Sequence, residues 1–367
     1  MSRKLLPLSI TAALMGGTAT ADVPNVAVDI APVHSLVARV MDGVGTPDLI
    51  ISPGASPHEY NLRPSEAAAL QEADLVFWIG EDLTPWMEGA IETLADGATV
   101  TALLASDGTV LLDFREDALF EAHDHGDHDD HDEHAEHEDH DHDDEHAEHK
   151  DHDNHDHDDH AEGEAHDDHA HENEHDHEHD HEDHAEHDDH GHDEHAHGDH
   201  DPHAWLSPTN AEIWLNTIAA QLSAADPDNA GAYFANAAAA REEMAALSAE
   251  VAATLDPVRG GSFIVFHDAY QYFEDAFDFP ASGAISIADA SDPSPARIAE
   301  IQARITDEGV DCVLSEPQFN PGLVETVLGG TEANTGVIDP LGSNLKPGAT
   351  LYPQIILGMA KTIADCL

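Results

Sequence analysis

The chain has 367 residues, with 12 Lys plus Arg against 77 Asp plus Glu, and a formal charge of −65 argues against nucleic acid or an anionic membrane as partner, since both need basic side chains. The charge is concentrated: residues 121–201 hold 38 acidic side chains, 28 His and one base, Lys150, while the other 286 residues carry −28. The length suggests roughly two domains, and a tract of imidazoles and carboxylates suggests a cation as partner.

In chain order, Arg3 and Lys4 precede an apolar run from Leu5 to Met15 that ends in Ala19-Thr20-Ala21. This is the pattern of a secretory signal with an A-x-A cleavage site, so residues 1–21 are expected to be removed and the mature chain to start at Asp22. The run is too short to span a bilayer, and no later stretch reaches about 18 consecutive apolar residues. No Cys sits at the cleavage point, so a lipid anchor is not expected. The expected compartment is a Gram-negative periplasm.

Short β-rich runs follow at 23–30, 47–51, 74–79 and 98–103, and again after the tract at 262–267, 281–287, 310–315 and 335–338. Helix-like segments such as 63–72, 208–225 and 295–307 lie between most of them. Continuous apolar strands separated by helices predict parallel sheets covered on both faces. The expected fold class is therefore α/β, with two lobes, each a four-stranded parallel sheet flanked by helices.

The first lobe is expected over 22–225 and the second over 257–367. Within the first, residues 122–201 contain almost no large apolar side chain to offset the entropy of ordering, and they read as a disordered His/Asp/Glu-rich loop. Between the lobes, 226–256 is Ala-rich, with Asp226 as N-cap, Pro227 at the first helical position and Pro257 as the stop. Twenty-nine helical residues would span about 43 Å, enough for a stiff connector; the alternative is an ordinary surface helix of one lobe. Cys312 lies in the apolar run 310–314 and Cys366 is the penultimate residue. They are either two free thiols or a bridge that pins the C-terminal helix to the core.

Four positions follow strand-like runs: His58, His203, His267 and Asp339. In open α/β sheets ligands bind beyond the carboxyl ends of strands, so two facing lobes would gather these groups around one cleft. Three neutral imidazoles with a carboxylate suit Zn²⁺, whereas manganese favours more oxygen ligands. His34 also follows a strand-like run and reads as a helix-start residue near the cleft, with an auxiliary metal role as the alternative. Glu59, Tyr60 and Asp268 read as residues that orient imidazoles, and Trp205 and Trp214 as core.

Five segments in order carry a resemblance: Ser56-Pro57-His58-Glu59-Tyr60 with Arg63-Pro64-Ser65, Asp201-Pro202-His203-Ala204-Trp205-Leu206-Ser207-Pro208, His267-Asp268-Ala269-Tyr270, Glu316-Pro317-Gln318-Phe319 and Asp339-Pro340-Leu341-Gly342. They are similar to the ZnuA-type substrate-binding proteins of zinc-uptake ABC transporters, across essentially the whole mature chain. The resemblance implies two α/β lobes joined by a long helix, with metal held between them by His58, His203 and His267. Histidine at 267 favours zinc, since a carboxylate there would resemble the manganese branch. Some zinc members have Glu immediately before the first His. Pro57 stands there in this chain, which leaves Asp339 or a water as fourth ligand. A disulfide resembling Cys312–Cys366 also occurs in the family.

The expected function is thus a periplasmic receptor that delivers Zn²⁺, as transported ligand, to the membrane permease of an ABC importer. No enzymatic step and a monomeric state are expected, with the His-rich loop as auxiliary low-affinity zinc capture. A zinc buffer or chaperone without a transporter, and a secreted zinc enzyme with an open coordination site, are the competing readings. Outside residues 121–201 there is no His-Glu-x-x-His motif, which argues against the enzyme; the two matches inside the tract, at 171–175 and 177–181, fall in a run where alternating His and acidic residues produce the pattern by composition.

Overall fold

Eight short strands make two separate four-stranded parallel sheets among the residues described by the computed structural model, namely 23–115, 200–286, 293–319 and 321–367. The first sheet has the order β2-β1-β3-β4, built from β1 (Val26–Val28), β2 (Asp48–Leu49), β3 (Leu75–Trp78) and β4 (Thr99–Ala102). The second repeats it as β6-β5-β7-β8, from β5 (Phe263–His267), β6 (Gly283–Ser286), β7 (Cys312–Ser315) and β8 (Asn334–Val337). Each strand overlaps one of the apolar runs read in the sequence. The central strands β1, β3 and β5 are buried at every residue, as strands covered on both faces must be. The α/β class and the two parallel sheets are as expected. The signal segment 1–21 and nearly all of the tract, 122–199, lie outside the described residues.

Parallel neighbours need crossovers. These are α1 (Ala31–Val40), α2 (Pro64–Glu72) and α3 (Pro85–Leu94) in the first lobe, after which come α4 (Pro208–Ala225) and α5 (Ala230–Leu255). The second lobe has α6 (Gln271–Phe277), α7 (Pro295–Glu308), α8 (Pro321–Leu328) and α9 (Leu351–Cys366). Proline sits in the first turn of α1, α2, α3, α4 and α7, where its missing N–H would be unpaired anyway.

The linking helix starts three residues later than the sequence suggested. Pro227–Asn229 form a separate 3₁₀ turn, because the Asp226 carboxylate gathers the Asn229 amide and the Tyr233 hydroxyl around itself. The remaining 26 residues of α5 span about 39 Å. Tyr233, Ala237, Ala240, Met244, Leu247, Val251 and Leu255 are its buried residues, at spacings of three and four that make one stripe. That stripe lies against α1 and α4 of the first lobe and α9 of the second, so the connector reading describes α5. One continuous core follows it, from Val37 and Trp214 to Tyr352 and Ile363. Among the described residues no helix is long and apolar enough to cross a membrane.

Cys312 and Cys366 are disulfide-bonded, with Cα atoms 5.7 Å apart, so the bridge joins the start of β7 to the end of α9. His34 is buried on α1, and its Nε2 donates to the Pro47 carbonyl at 3.1 Å. It is a structural histidine here, and the auxiliary metal role is not the one its geometry serves. Burial pushes its pKa below the ordinary histidine value, partly opposed by that hydrogen bond. A depressed histidine stabilises the fold above its ordinary pKa and loses that contribution as pH falls below it. Urea unfolding should therefore show His34→Gln losing less stability than the parent between pH 7 and 5; parallel profiles would remove His34 from the acid response.

Candidate metal centre

The centre begins with a strand register. β5 and β7 are parallel neighbours with Ile264 opposite Val313, and extending that register by three residues sets His267 opposite Glu316. Both stand at carboxyl ends of strands, at the point where the order β6-β5-β7-β8 reverses direction. Glu316 Oε1 lies 2.6 Å from His267 Nδ1, and both groups are buried. The hydrogen bond fixes the ring and leaves Nε2 as its outward nitrogen. Phe319 closes one side of the imidazole, with ring centroids 5.1 Å apart. Tyr270 packs on another side, 6.2 Å away. Burial, with Glu316 and Asp339 nearby, holds the Tyr270 phenol far above its usual pKa, so it stays a neutral hydroxyl.

His203 is held the same way from the first lobe. Asp201 Oδ1 accepts from the His203 backbone N–H at 2.9 Å and lies 2.7 Å from its Nδ1. Proline at 202 stiffens the short loop that lets one carboxylate take both. The 3₁₀ turn Ala204–Leu206 follows at once, and Trp205 Nε1 donates to the Pro340 carbonyl of the second lobe at 3.0 Å. Trp205 is thus a core residue, as expected, with its polar edge spent on joining the lobes. Trp214 is fully buried and donates to Thr109.

His58 sits on the loop after β2 and is more exposed than the other two. That loop is fastened on both sides of it. Trp86 Nε1 donates to the Pro57 carbonyl at 2.8 Å, and the Tyr60 hydroxyl donates to Glu66 Oε1 at 2.7 Å. Glu66 in turn accepts from the Arg63 N–H and so caps α2.

His58, His203 and His267 each present one nitrogen such that all three lie within 4.8 Å of one another. They are the one group of three or more His, Cys, Asp or Glu among the described residues that could hold a metal ion. A tetrahedral zinc with bonds of about 2.0–2.1 Å needs its ligand nitrogens roughly 3.3 Å apart, so modest side-chain rotation closes the difference. The structure does not bring Asp339 into the group. Its Oδ1 accepts from the N–H groups of Leu341 and Gly342 and from Ser343 Oγ, and its Oδ2 accepts from Ser343 N–H at 2.7 Å. The carboxylate organises the turn 341–343, where Gly342 adopts φ +70° and any Cβ would meet Ile355 at 3.0 Å.

A sequence profile described as "Zinc-uptake complex component A periplasmic" matches residues 26–366. The chain belongs to this family. It is 43% identical over 362 residues to the high-affinity zinc uptake system protein ZnuA of Brucella abortus, with 99% of this chain and 97% of that one aligned. A crystal structure of ZnuA shares the fold at a TM-score of 0.65, covering 94% of this chain and 99% of that chain at 19% identity. The substrate-binding protein FpvC of Pseudomonas aeruginosa, solved in complex with Mn²⁺, aligns at 0.63 with 18% identity, so the fold by itself does not choose the metal. Family membership sets the chain among components of uptake complexes rather than among enzymes.

Of the three residues read as orienting imidazoles, Tyr60 and Asp268 engage other partners. Tyr60 secures the His58 loop, Glu59 is exposed, and Asp268 faces Arg115 at 2.7 Å. Burial raises the Asp268 carboxyl to about 7 against the opposing pull of Arg115. Asp201 and Glu316, which do hold imidazoles, both lie in segments that carried the family resemblance. The signal for Glu316 was its place just beyond β7, the strand beside the one that ends in His267.

Proposed function

We propose that the chain is a periplasmic zinc receptor that holds one Zn²⁺ on His58, His203 and His267 and delivers it to the permease of an ABC importer. The observation that carries this reading is the convergence of three imidazoles from both lobes, in a chain 43% identical to high-affinity zinc uptake proteins. An all-nitrogen set favours zinc over manganese, which prefers oxygen. His203 and His267 coordinate through Nε2, because each Nδ1 is engaged by a carboxylate. The fourth position falls to solvent. Asp339 reaches it only by giving up the N–H bonds of its turn. Removal of residues 1–21 and export to the periplasm belong to the same proposal, as does the lobe division at α5.

Charge balance supports the arrangement. Three neutral imidazoles leave the full 2+ of the ion on the protein, and Asp201 and Glu316 supply two buried negative charges one ring away. Such partners also raise ligand basicity and fix the tautomer. Glu316→Gln and Asp201→Asn are each expected to weaken zinc binding by about 10–100-fold, measured by chelator competition. Asp339→Asn should cost less than substitution of any of the three histidines. An Asp339 effect as large as theirs would make it a ligand.

The tract 122–201 gathers further zinc weakly, since neutral imidazole and carboxylate both bind it. Calorimetry with Zn²⁺ and Mn²⁺, on the full chain and on a chain lacking 123–199, tests the whole reading. One tight zinc site should survive the deletion while total stoichiometry falls. Loss of the tight site on deletion would place it in the tract.

A further inference from the structure

The segments that enter and leave the tract meet each other and the second lobe at one place. Asp113 and His200 form an antiparallel bridge, and Asp201 N–H donates to the Leu112 carbonyl at 2.8 Å. The start of α6 lies across this pair. The Tyr272 hydroxyl accepts from Leu112 N–H and donates to the Asp201 carbonyl, both at 2.9 Å. The Gln271 amide, oriented to satisfy its surroundings, donates to the Asp113 carbonyl and to Asp201 Oδ2. Arg115 completes the contact with a fork on Glu274, at 2.9 and 3.0 Å, and a bond to Asp268. Arg115, Asp268 and Glu274 are all largely buried, where a charge pair is far stronger than on the surface and breaking it leaves charge stranded.

The placement relative to the metal centre gives this contact its meaning. Asp201, held by Gln271 and Tyr272, is the residue whose other oxygen fixes His203. Asp268, held by Arg115, directly follows His267. The contact therefore ties a ligand-bearing segment of the first lobe to a ligand-bearing segment of the second. It does so without α5.

We propose that Arg115, with Tyr272, is a positioning residue: the pair clamps the roots of the tract to α6, fixes the separation of His203 from His267, and thereby sets how fast the ion leaves. The link to ion release rests on the zinc reading above; the clamp itself does not. It also makes the roots of the tract part of the lobe-to-lobe contact, so strain applied through residues 115 or 200 reaches the ligands within one or two residues.

The test uses the full chain loaded with one equivalent of zinc. Arg115→Ala is expected to speed zinc dissociation into excess chelator by about threefold, less than the roughly 10–100-fold for a residue that itself holds a ligand, because Arg115 acts through Asp268 and Glu274. In zinc-free protein, spin labels on Glu92→Cys and Asp307→Cys, both exposed and one in each lobe, should report a broader distance distribution in the same variant. Arg115→Lys keeps the charge without the fork and should recover only part of both effects. Tyr272→Phe keeps the ring and removes only the hydroxyl, so it should move both readouts in the same direction and carries the test should Arg115→Ala fail to fold. A lower melting temperature with unchanged dissociation and unchanged distances would overturn the proposal, reducing the cluster to a stability element. Broadened distances with unchanged dissociation would overturn its coupling to the ion. If His267→Ala left tight zinc binding intact, the zinc reading would fall while the distance measurement still judged the clamp.

Discussion

His267→Ala is expected to lower the affinity of the tight zinc site by about 10²–10³-fold. Zinc sites with four protein ligands are worth roughly 10–16 kcal/mol at neutral pH, so each ligand carries about 2.5–4 kcal/mol, and 1.4 kcal/mol is tenfold. His203→Ala should cost a similar amount, because both rings are buried and both are backed by a carboxylate. His58→Ala should cost less: its ring is more exposed, and water can replace it with little rearrangement. Removing His267 also strands Glu316, which is buried, so the zinc-free variant should be destabilised. The double substitution with Glu316→Gln should recover part of that stability and none of the affinity. Competition against a fluorescent chelator gives the affinities and urea unfolding gives the stabilities. An affinity within about threefold of the parent would remove His267 from the ligand set, since a threefold change is well under 1 kcal/mol.

The centre was legible because its residue types are scarce where they matter. Only four histidines fall outside 121–201, and three of them converge. The fourth, His34, follows a strand as His58 and His267 do (His203 instead follows the tract and opens a 3₁₀ turn), yet its ring turns to the Pro47 carbonyl inside its own lobe. Nothing in the local pattern separates the two outcomes, because the pattern specifies the end of a strand and not the direction of a side chain. Asp339 illustrates the same limit. A carboxylate at the end of an apolar run looks like a ligand, but the following Pro-Leu-Gly-Ser offers a turn whose N–H groups satisfy it first. Strands and helices were readable from apolar period and proline placement, apart from the 3₁₀ turn that Asp226 imposes before α5. The interlobe contact of Arg115, Tyr272 and Asp201 was not. It joins residues some 70 to 160 positions apart, through pairs that no local period encodes.

Replacing both Cys312 and Cys366 with Ala is expected to cost about 4 kcal/mol of stability, the chain-entropy value for a bridge between residues 54 apart. Alanine avoids burying a hydroxyl at two positions that are at most 5% exposed. At about 2.1 cal/mol/K of unfolding entropy per residue, the loss corresponds to a melting temperature lower by roughly 5–8 °C. Zinc affinity measured well below that temperature should not change. Cys312 opens β7, and Glu316 lies beyond its other end, four residues or about 13 Å away. Between them the ladder to β5 and the buried run of Val313 and Leu314 hold the register that sets Glu316 beside His267. The bridge then acts on the unfolded chain and on the docking of α9, while strand pairing alone positions the ligand. An affinity loss in the double variant at full folding would show that α9 must be tied down for β7 to keep that register, and would move the disulfide from a stability element to a determinant of the metal centre.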